Sequence, residues 1–373
     1  MTPKIIWDSI YDFFHENLLI KPKAFMRLCK NKELYNDESY FPSAHHNSSF
    51  INFLRQFRQI LKYNSPEDYF FLYGWDTKTL NECDSYVNYI EFYKTRTKLN
   101  HSNPCYDSTC ILYNKLYFGA FARSMGMPVA EDVAYIENSK MYLLLPQMHE
   151  VSFSEILNLE SGNYFVKSLS GENGDNIFKI KIYEKQIYYK DRFIKLDDFI
   201  HLTSNYKYIV QKQIKQHPKM DELYSKSVNT LRIFTVRSIK DNLLYTLPSI
   251  VRIGSGGSYI DNGSKGGIMV GVNLETGELY SYGLLKPEYG RIAYKHPDTL
   301  VEFKGFKIPY IKECVEACKC FHDLFPDIHS IGWDVVVTEN GPLFIEGNDN
   351  WEIEVPQMYR GIRKEFDEYF YNK

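Results

Sequence analysis

SIGWDVVVTENGPLFIEGNDN, running from Ser330 to Asn350, is the stretch on which the fold turns. Two short apolar runs flank Asn340-Gly341, a pair that marks a hairpin. The same stretch carries Asp334, Glu346, Asn348, Asp349 and Asn350. Strand side chains alternate between faces, so Glu346 and Asn348 point the same way. Whether Asp334 joins them depends on the turn. A two-residue Asn340-Gly341 loop pairs Glu339 with Pro342 and sets Asp334 opposite Gly347, on the wrong face. A three-residue loop, Glu339-Asn340-Gly341 with Gly341 left-handed, pairs Thr338 with Leu343 and sets Asp334 across from Glu346; this register is favoured. Three oxygen-bearing side chains then share one face, where like charge is unfavourable unless a cation or protons compensate. Hard oxygen ligands of this kind suit magnesium. The alternative is an acidic strand end solvated at the surface.

Upstream of the hairpin, Cys314, Cys318 and Cys320 fall on a helical pattern with Ile311, Val315, Phe321, Leu324 and Phe325, which predicts two of them on a buried stripe rather than in a zinc site. Cys29, Cys83, Cys105 and Cys110 lie apart, with no paired metal spacing. The chain as a whole, 373 residues with 44% hydrophobic residues and a formal net charge of -3, has ample material for a core and predicts a globular protein of two or three subdomains. Its interspersed charges supply no basic field for nucleic acid, so no DNA or RNA partner is expected. No apolar run approaches a membrane span, and Asp8, Asp12 and Glu16 stand where a signal peptide would be uncharged. A cytoplasmic protein is expected.

Ile6, Ile10, Phe13, Phe14 and Leu18 follow helical spacing, as do Phe50, Phe53, Leu54, Phe57, Ile60 and Leu61 in SSFINFLRQFRQILKY. Residues 1–105 therefore read as a mainly helical N-terminal region. The turn-rich passage KTRTKLNHSNPCYDST closes it. Next, LYNKLYFGAFARSMGMPVAED predicts a helix closed by Gly126. VAYI, MYLLLP, NYFVKSL, IFKIKIY and YKYIVQKQI then read as strands, followed by NTLRIFTVRSI, LLYTLPSIVRIG and GGIMVGVNLETGELYSYGLL. The weak alternation of several predicts a mostly antiparallel sheet with one face covered. The fold class is α+β.

These residues carry a resemblance. GWDVVVTENGPLFIEGN looks like the closing motif of the ATP-grasp superfamily, and VNTLRIFTVRS from Val228 with RIGSGGSYIDNGSKGGIMVGVNLETGEL from Arg252 are similar to its sugar-transfer-associated group, linked to bacterial polysaccharide biosynthesis. The resemblance runs from about Leu112 to the C-terminus. It implies an ATP-grasp fold, two α+β subdomains gripping ATP, with residues 106–210 as the part bearing the lysine and glycine loop and 211–373 as the part bearing the metal-binding hairpin. It implies that Asp334, Glu346 and Asn348 hold the magnesium of ATP.

Triphosphate binding requires convergent positive charges and close backbone N–H groups. Lys167 ends a strand, and Gly171 and Gly174 follow it in a loop; the resemblance gives the lysine to the phosphates and the glycine loop to closure over them. Lys115 resembles the superfamily's earlier nucleotide-binding lysine. The alternatives are a solvated helix charge and a plain hairpin turn. No G-x-x-x-x-G-K-[ST] occurs, which excludes a P-loop. YKYIVQKQIKQHP takes the place of the superfamily's hinge, with backbone groups at Ile209 and Val210 facing adenine. Gln211 stands where relatives commonly carry glutamate and keeps one acceptor without the charge.

Arg232 alternates with Leu231 and Ile233, so its guanidinium projects away from the apolar face and is suited to gripping the γ-phosphate and a developing acyl phosphate. Arg252, Asp261 and Asn262 are candidates for the acceptor end, beside glycines that permit close approach; a glycine-rich surface hairpin with a cross-strand ion pair is the alternative. The resemblance implies an ATP- and magnesium-dependent carboxylate–amine ligase working through an acyl phosphate. Its partners would be a small-molecule or glycan carboxylate and an amine acceptor, and polysaccharide-synthesis enzymes are possible associates. A phosphotransferase and a noncatalytic ATP-binding subunit are the rival readings.

Overall fold

The computed structural model describes residues 15–102, 107–169 and 176–371. The residues divide into two compact units. One comprises 1–102, 236–248 and 350–373, and the other 103–235 and 249–349.

The first unit is mainly helical, with short strand segments in 236–248. Its helices are α1 (Lys21–Lys30), α2 (Ser49–Tyr63), α3 (Leu80–Asp84) and α4 (Tyr89–Asn100), with a C-terminal helix Arg363–Tyr371. Ser48 caps α2 by accepting from Ile51 N, and Asn64 closes it in the left-handed region. The apolar spacing correctly located α2 and half of its inner face, since Ile60 is buried with Ala24 and Leu28 and Phe53 and Phe57 pack against them. Phe50, Leu54 and Leu61 are exposed, whereas Asn52, Gln56 and Gln59 are buried beside Ile60. Gln56 is drawn inward because its amide donates to Leu34 O at 2.6 Å and Glu67 O at 2.9 Å and accepts from Glu67 N at 2.7 Å. Backbone groups that would otherwise be orphaned outrank the hydrophobic pattern there. The stripe predicted from Ile6 to Phe14 lies outside the described residues, and Leu18 is exposed.

The second unit carries the site. It opens with α5 (Thr109–Tyr113) and α6 (Lys115–Ser124). Asn114 caps α6 through Leu116 N and Tyr117 N, and Gly126, at φ +72°, ends it as the sequence predicted. Eight strands follow: β1 (Asp132–Glu137), β2 (Lys140–Leu143), β3 (His149–Val151), β4 (Gly162–Ser168), β5 (Ile177–Tyr183), β6 (Gln186–Tyr189), β7 (Arg192–Ile194) and, after helix α7 (Leu196–Leu202), β8 (Tyr208–Lys212). They form one sheet in the order β3-β2-β1-β8-β4-β5-β6-β7. Its core gathers Ala134, Ile136, Tyr164, Val166, Ile180, Ile182, Phe199 and Val210.

A second sheet has the order β13-β12-β11-β10-β9-β14-β15. Its strands are β9 (Thr230–Arg237), β10 (Leu244–Ile253), β11 (Ile268–Val272), β12 (Leu279–Leu284), β13 (Ile292–Ala293), β14 (Ser330–Thr338) and β15 (Gly341–Asn348), with helices α8 (Pro218–Leu223) and α9 (Ile311–His322) along the same stretch. Cys314 and Cys318 lie on the buried stripe of α9 and Cys320 is exposed. Burial pushes the Cys314 thiol up to about 12. The fold is α+β with two antiparallel-paired sheets and a helical N-terminal region. No helix among the described residues is long and apolar enough to cross a membrane.

Candidate functional site

The β14–β15 hairpin sets Asp334 directly across from Glu346, and Gly332 across from Asn348. The facing is as predicted, but its cause is different. The turn is the two-residue Glu339-Asn340, so Thr338 pairs with Gly341 and Val336 with Leu343. Ile345 is then an extra residue between the Val335–Phe344 and Asp334–Glu346 pairs, and this bulge, not a longer loop, moves Glu346 onto the face of Asp334. Gly341, at φ +95°, supplies the left-handed residue after the turn. At the bulge, Phe344 N donates to Pro128 O at 2.8 Å, tying the segment before β1 to the hairpin.

Three cations from separate segments converge on this face, and a fourth, Lys167, lines the cleft beside it. Arg232, on β9, grips Asp334 with two N–H donors: Nε to Oδ1, and Nη2 to Oδ2 at 3.0 Å. Arg252, on β10, adds Nη2 to Asp334 Oδ2 at 2.6 Å. Lys115, at the start of α6, lies 3.9 Å from Glu346 Oε2, and Asn348 Nδ2 donates to Glu346 Oε1 at 3.3 Å. Lys167, at the end of β4, donates to Gln211 Oε1 at 2.6 Å. Burial alone would raise the Asp334 carboxyl, but the charges and hydrogen bonds of Arg232 and Arg252 outweigh it and hold it at about 2. Lys167 is lowered from its ordinary value by burial, with Asp132 and Glu346 pulling the other way.

Behind Arg252, its Nε donates to Thr230 Oγ1 at 3.0 Å, and Asp261 accepts from both the backbone and the hydroxyl of Thr230. Asp261 thus braces the arginine rather than projecting toward an acceptor. Asn262 caps the Gly263–Lys265 turn by accepting from Ser264 N at 3.1 Å. Ile209 lines the cleft, but Val210 does not: its side chain belongs to the first sheet's core. Both are paired on either side, to β1 and to β4, so ladder pairing occupies the backbone on which the hinge expectation rested. Gly171 and Gly174 lie outside the described residues. Gln216 is a structural pin, buried with its amide spent on Asp221, Tyr224 O, Ser227 O and Asn229 N.

The cleft between the sheets is lined by Lys115, Phe118, Gly119, Val129, Ala130, Asp132, Lys167, Ile209, Gln211, Phe344 and Ile345. Its cavity measures about 20 Å³, room for a water molecule. The sequence reading missed Phe118, Asp132 and Ile345. A glycine inside the apolar-periodic α6 was the available signal, since such a glycine marks close approach: a Cβ at Gly119 would lie 2.3 Å from Asp132 Oδ2.

The donor set on the hairpin is all hard oxygen, two carboxylates and an amide, and fits a divalent cation that completes its shell with water and ligand oxygens. Among the described residues no group of three His, Cys, Asp or Glu gathers. Asp334 differs from a free ligand in that both its oxygens already accept guanidinium N–H groups.

Two antiparallel sheets closing on a cleft of convergent cations and a paired-carboxylate hairpin define an ATP-grasp protein. The chain belongs to the sugar-transfer associated ATP-grasp family, whose model matches residues 94–368. Solved structures with a similar fold include D-alanyl-alanine synthetase A from Vibrio cholerae O1 biovar eltor str. N16961, at 11% identity and TM-score 0.38, covering 70% of this chain and 61% of that one. N5-carboxyaminoimidazole synthetase from Staphylococcus aureus, complexed with ADP, is 9% identical with TM-score 0.39 and coverages of 74% and 57%. D-alanine–D-alanine ligase from Bacillus anthracis, complexed with ATP, is 12% identical with TM-score 0.33 and coverages of 65% and 57%. The chain thus spans about three fifths of the length of these proteins. Comparison with curated proteins found no match.

Proposed function

We propose that the cleft binds ATP with magnesium and that the protein is a carboxylate–amine ligase, forming an amide on a sugar or amino-acid carboxylate used in surface-polysaccharide assembly. The observation that carries this reading is the convergence of Lys115, Arg232 and Arg252 on the one hairpin face that bears Asp334, Glu346 and Asn348, beside the cleft that Lys167 lines. Membership of a sugar-transfer associated family supports the polysaccharide setting.

In this reading Lys115 and Lys167 bind the phosphates as point charges, and Arg232 and Arg252, whose Nε and Nη2 groups are spent on Asp334 and Thr230, offer their remaining Nη1 groups and their charge to the γ-phosphate and the acyl phosphate. Asp334, Glu346 and Asn348 would hold magnesium, which supplies charge neutralisation at the phosphates. A substrate carboxylate oxygen attacks the γ-phosphorus, the bond to the bridging oxygen breaks, and ADP leaves. The amine nitrogen then attacks the acyl carbon, phosphate leaves with the bonding pair, and the nitrogen loses its proton to water. Neither step asks for a protein nucleophile.

The test is incubation of purified protein with ATP, magnesium and a panel of uronic acids and amines, following ADP, phosphate and product mass. ADP release matched by amide formation supports the ligase. ADP release with a phosphorylated hydroxyl replaces it by a phosphotransferase, and ATP binding with no ADP release across the panel replaces it by a noncatalytic subunit.

A further inference from the structure

The side chain of Gln211 has two ends of opposite polarity, and only one is useful to Lys167. A carbonyl oxygen holds the ammonium, whereas an amide NH2 repels it. The structure contains a chain of groups that decides between them. Arg123, in the last turn of α6, donates Nη1 to Asp132 Oδ2 at 3.0 Å. The other oxygen of Asp132, Oδ1, accepts Gln211 Nε2 at 2.8 Å. Gln211 Oε1 is therefore left to accept Lys167 Nζ at 2.6 Å. Asp132 pairs directly with Gln211 across β1 and β8, and Lys167 pairs with Ile209, two residues from Gln211 on the same face of β8. Asp132 is only 2% exposed.

The fold makes room for this chain at a cost. Gly119 sits inside α6, where glycine is a poorer helix former than alanine. A Cβ there would lie 2.3 Å from Asp132 Oδ2 and 3.3 Å from Arg123 Nη1. The glycine is the opening through which the carboxylate reaches both partners.

We infer that Arg123 and Asp132 are positioning residues that fix the polarity of Gln211, and through it the place of the Lys167 ammonium in the cleft. The consequence for nucleotide binding rests on the ATP reading above; the orientation of Lys167 does not. An acid at 132 and an amide at 211 form a matched pair, and the pair can be inverted. In Asp132→Asn, Arg123 keeps the Asn carbonyl, the Asn amide then faces position 211, and Gln211 turns its own NH2 toward Lys167. In Gln211→Glu, two carboxylates meet at hydrogen-bond distance. In the double variant the new amide at position 132 donates to the new carboxylate at position 211, whose other oxygen accepts Lys167, and the local charge equals that of the wild type.

The experiment measures two quantities on folded protein: Kd for ATP with magnesium by calorimetry, and the rate at which acetic anhydride labels Lys167 without nucleotide, read by mass spectrometry. Each single variant should weaken ATP by about tenfold, the size of one charge-assisted contact. Asp132→Asn should also label Lys167 several-fold faster. The double variant should return both quantities to within about threefold of wild type, a reversal that general destabilisation does not produce. Gly119→Ala, which displaces the carboxylate from the other side, should reproduce the Asp132→Asn phenotype and serves if that variant folds poorly. Single variants that label and bind like the wild type, or a double variant no better than the worse single, would overturn the inference. A wild type that fails to bind ATP while the labelling series behaves as described sinks the ATP reading and leaves the positioning chain standing.

Discussion

Replacing Lys167 by methionine separates what this residue does for binding from what it does for folding. The methionine keeps the stem in the cleft and removes the ammonium. If Lys167 contacts a phosphate, the loss is that of one charge-assisted hydrogen bond, about 1.5–3 kcal/mol, which raises Kd for ATP by about 10- to 150-fold. For folding, two effects oppose each other. The charge no longer has to be desolvated, which favours the variant, while Gln211 Oε1 loses its donor, a penalty of about 1–3 kcal/mol. The unfolding free energy at pH 7 should therefore stay within about 2 kcal/mol of wild type. The pH dependence gives a further check. Burial lowers Lys167 below its ordinary 10.5 in the folded protein, so as pH rises through the folded value toward 10.5 the unfolded chain holds the extra proton. Wild-type stability gains over that window, and the methionine variant lacks the gain. The stability of Lys167→Met relative to wild type should thus fall between neutral pH and about pH 10.5. Calorimetric ATP titrations and urea unfolding at several pH values are the assays. An ATP Kd within twofold of wild type in a folded variant would refute the reasoning about binding, and a pH-independent stability difference would refute the reasoning about burial.

Asp334→Ala removes the carboxylate that Arg232 and Arg252 share, leaving Arg252 only the more distant Asp261, and should cost about 3 kcal/mol in urea unfolding, whereas Glu346→Gln, at a partly exposed position, should unfold like the wild type and lose only magnesium-dependent turnover. Gly347→Ala places a Cβ 3.0 Å from both Leu112 Cδ2 and Trp333 Cζ3, and overpacking there should lower stability by about 1–3 kcal/mol. Cys320 should react with a thiol reagent in the native protein while Cys314 and Cys318 do so only on unfolding, because burial raises their thiols and closes access; peptide mapping after brief labelling reads the order.

Much of the site was legible because its parts obey short periods. Alternation placed Glu346 and Asn348 on one face and turned Arg232 away from Leu231 and Ile233, and the helical period identified α6, its closing Gly126 and the buried pair Cys314 and Cys318. What stayed hidden involves partners far apart in sequence. Gln56 looks like a surface residue of α2 until the backbone of Glu67 arrives beside it. Val210 is indistinguishable from Ile209 until β1 and β4 pair on both sides. Asp261 looks available to a ligand until Thr230, 31 residues earlier, claims it. The bulge at Ile345 is invisible in an apolar run, although it alone brings Asp334 and Glu346 together.

The amino-acid sequence by itself determined the α+β class, the hairpin, the oxygen-bearing face and the family resemblance, because each depends on residues within about one strand or helix of one another. Only the tertiary structure decided that Arg232 and Arg252 meet on Asp334, that Gln211 is oriented by Asp132 and Arg123, and that Gly119 is there to admit a carboxylate. Those facts follow from strand order and from which helix lies over which strand, and a local pattern of side chains cannot encode the identity of a neighbour on another element.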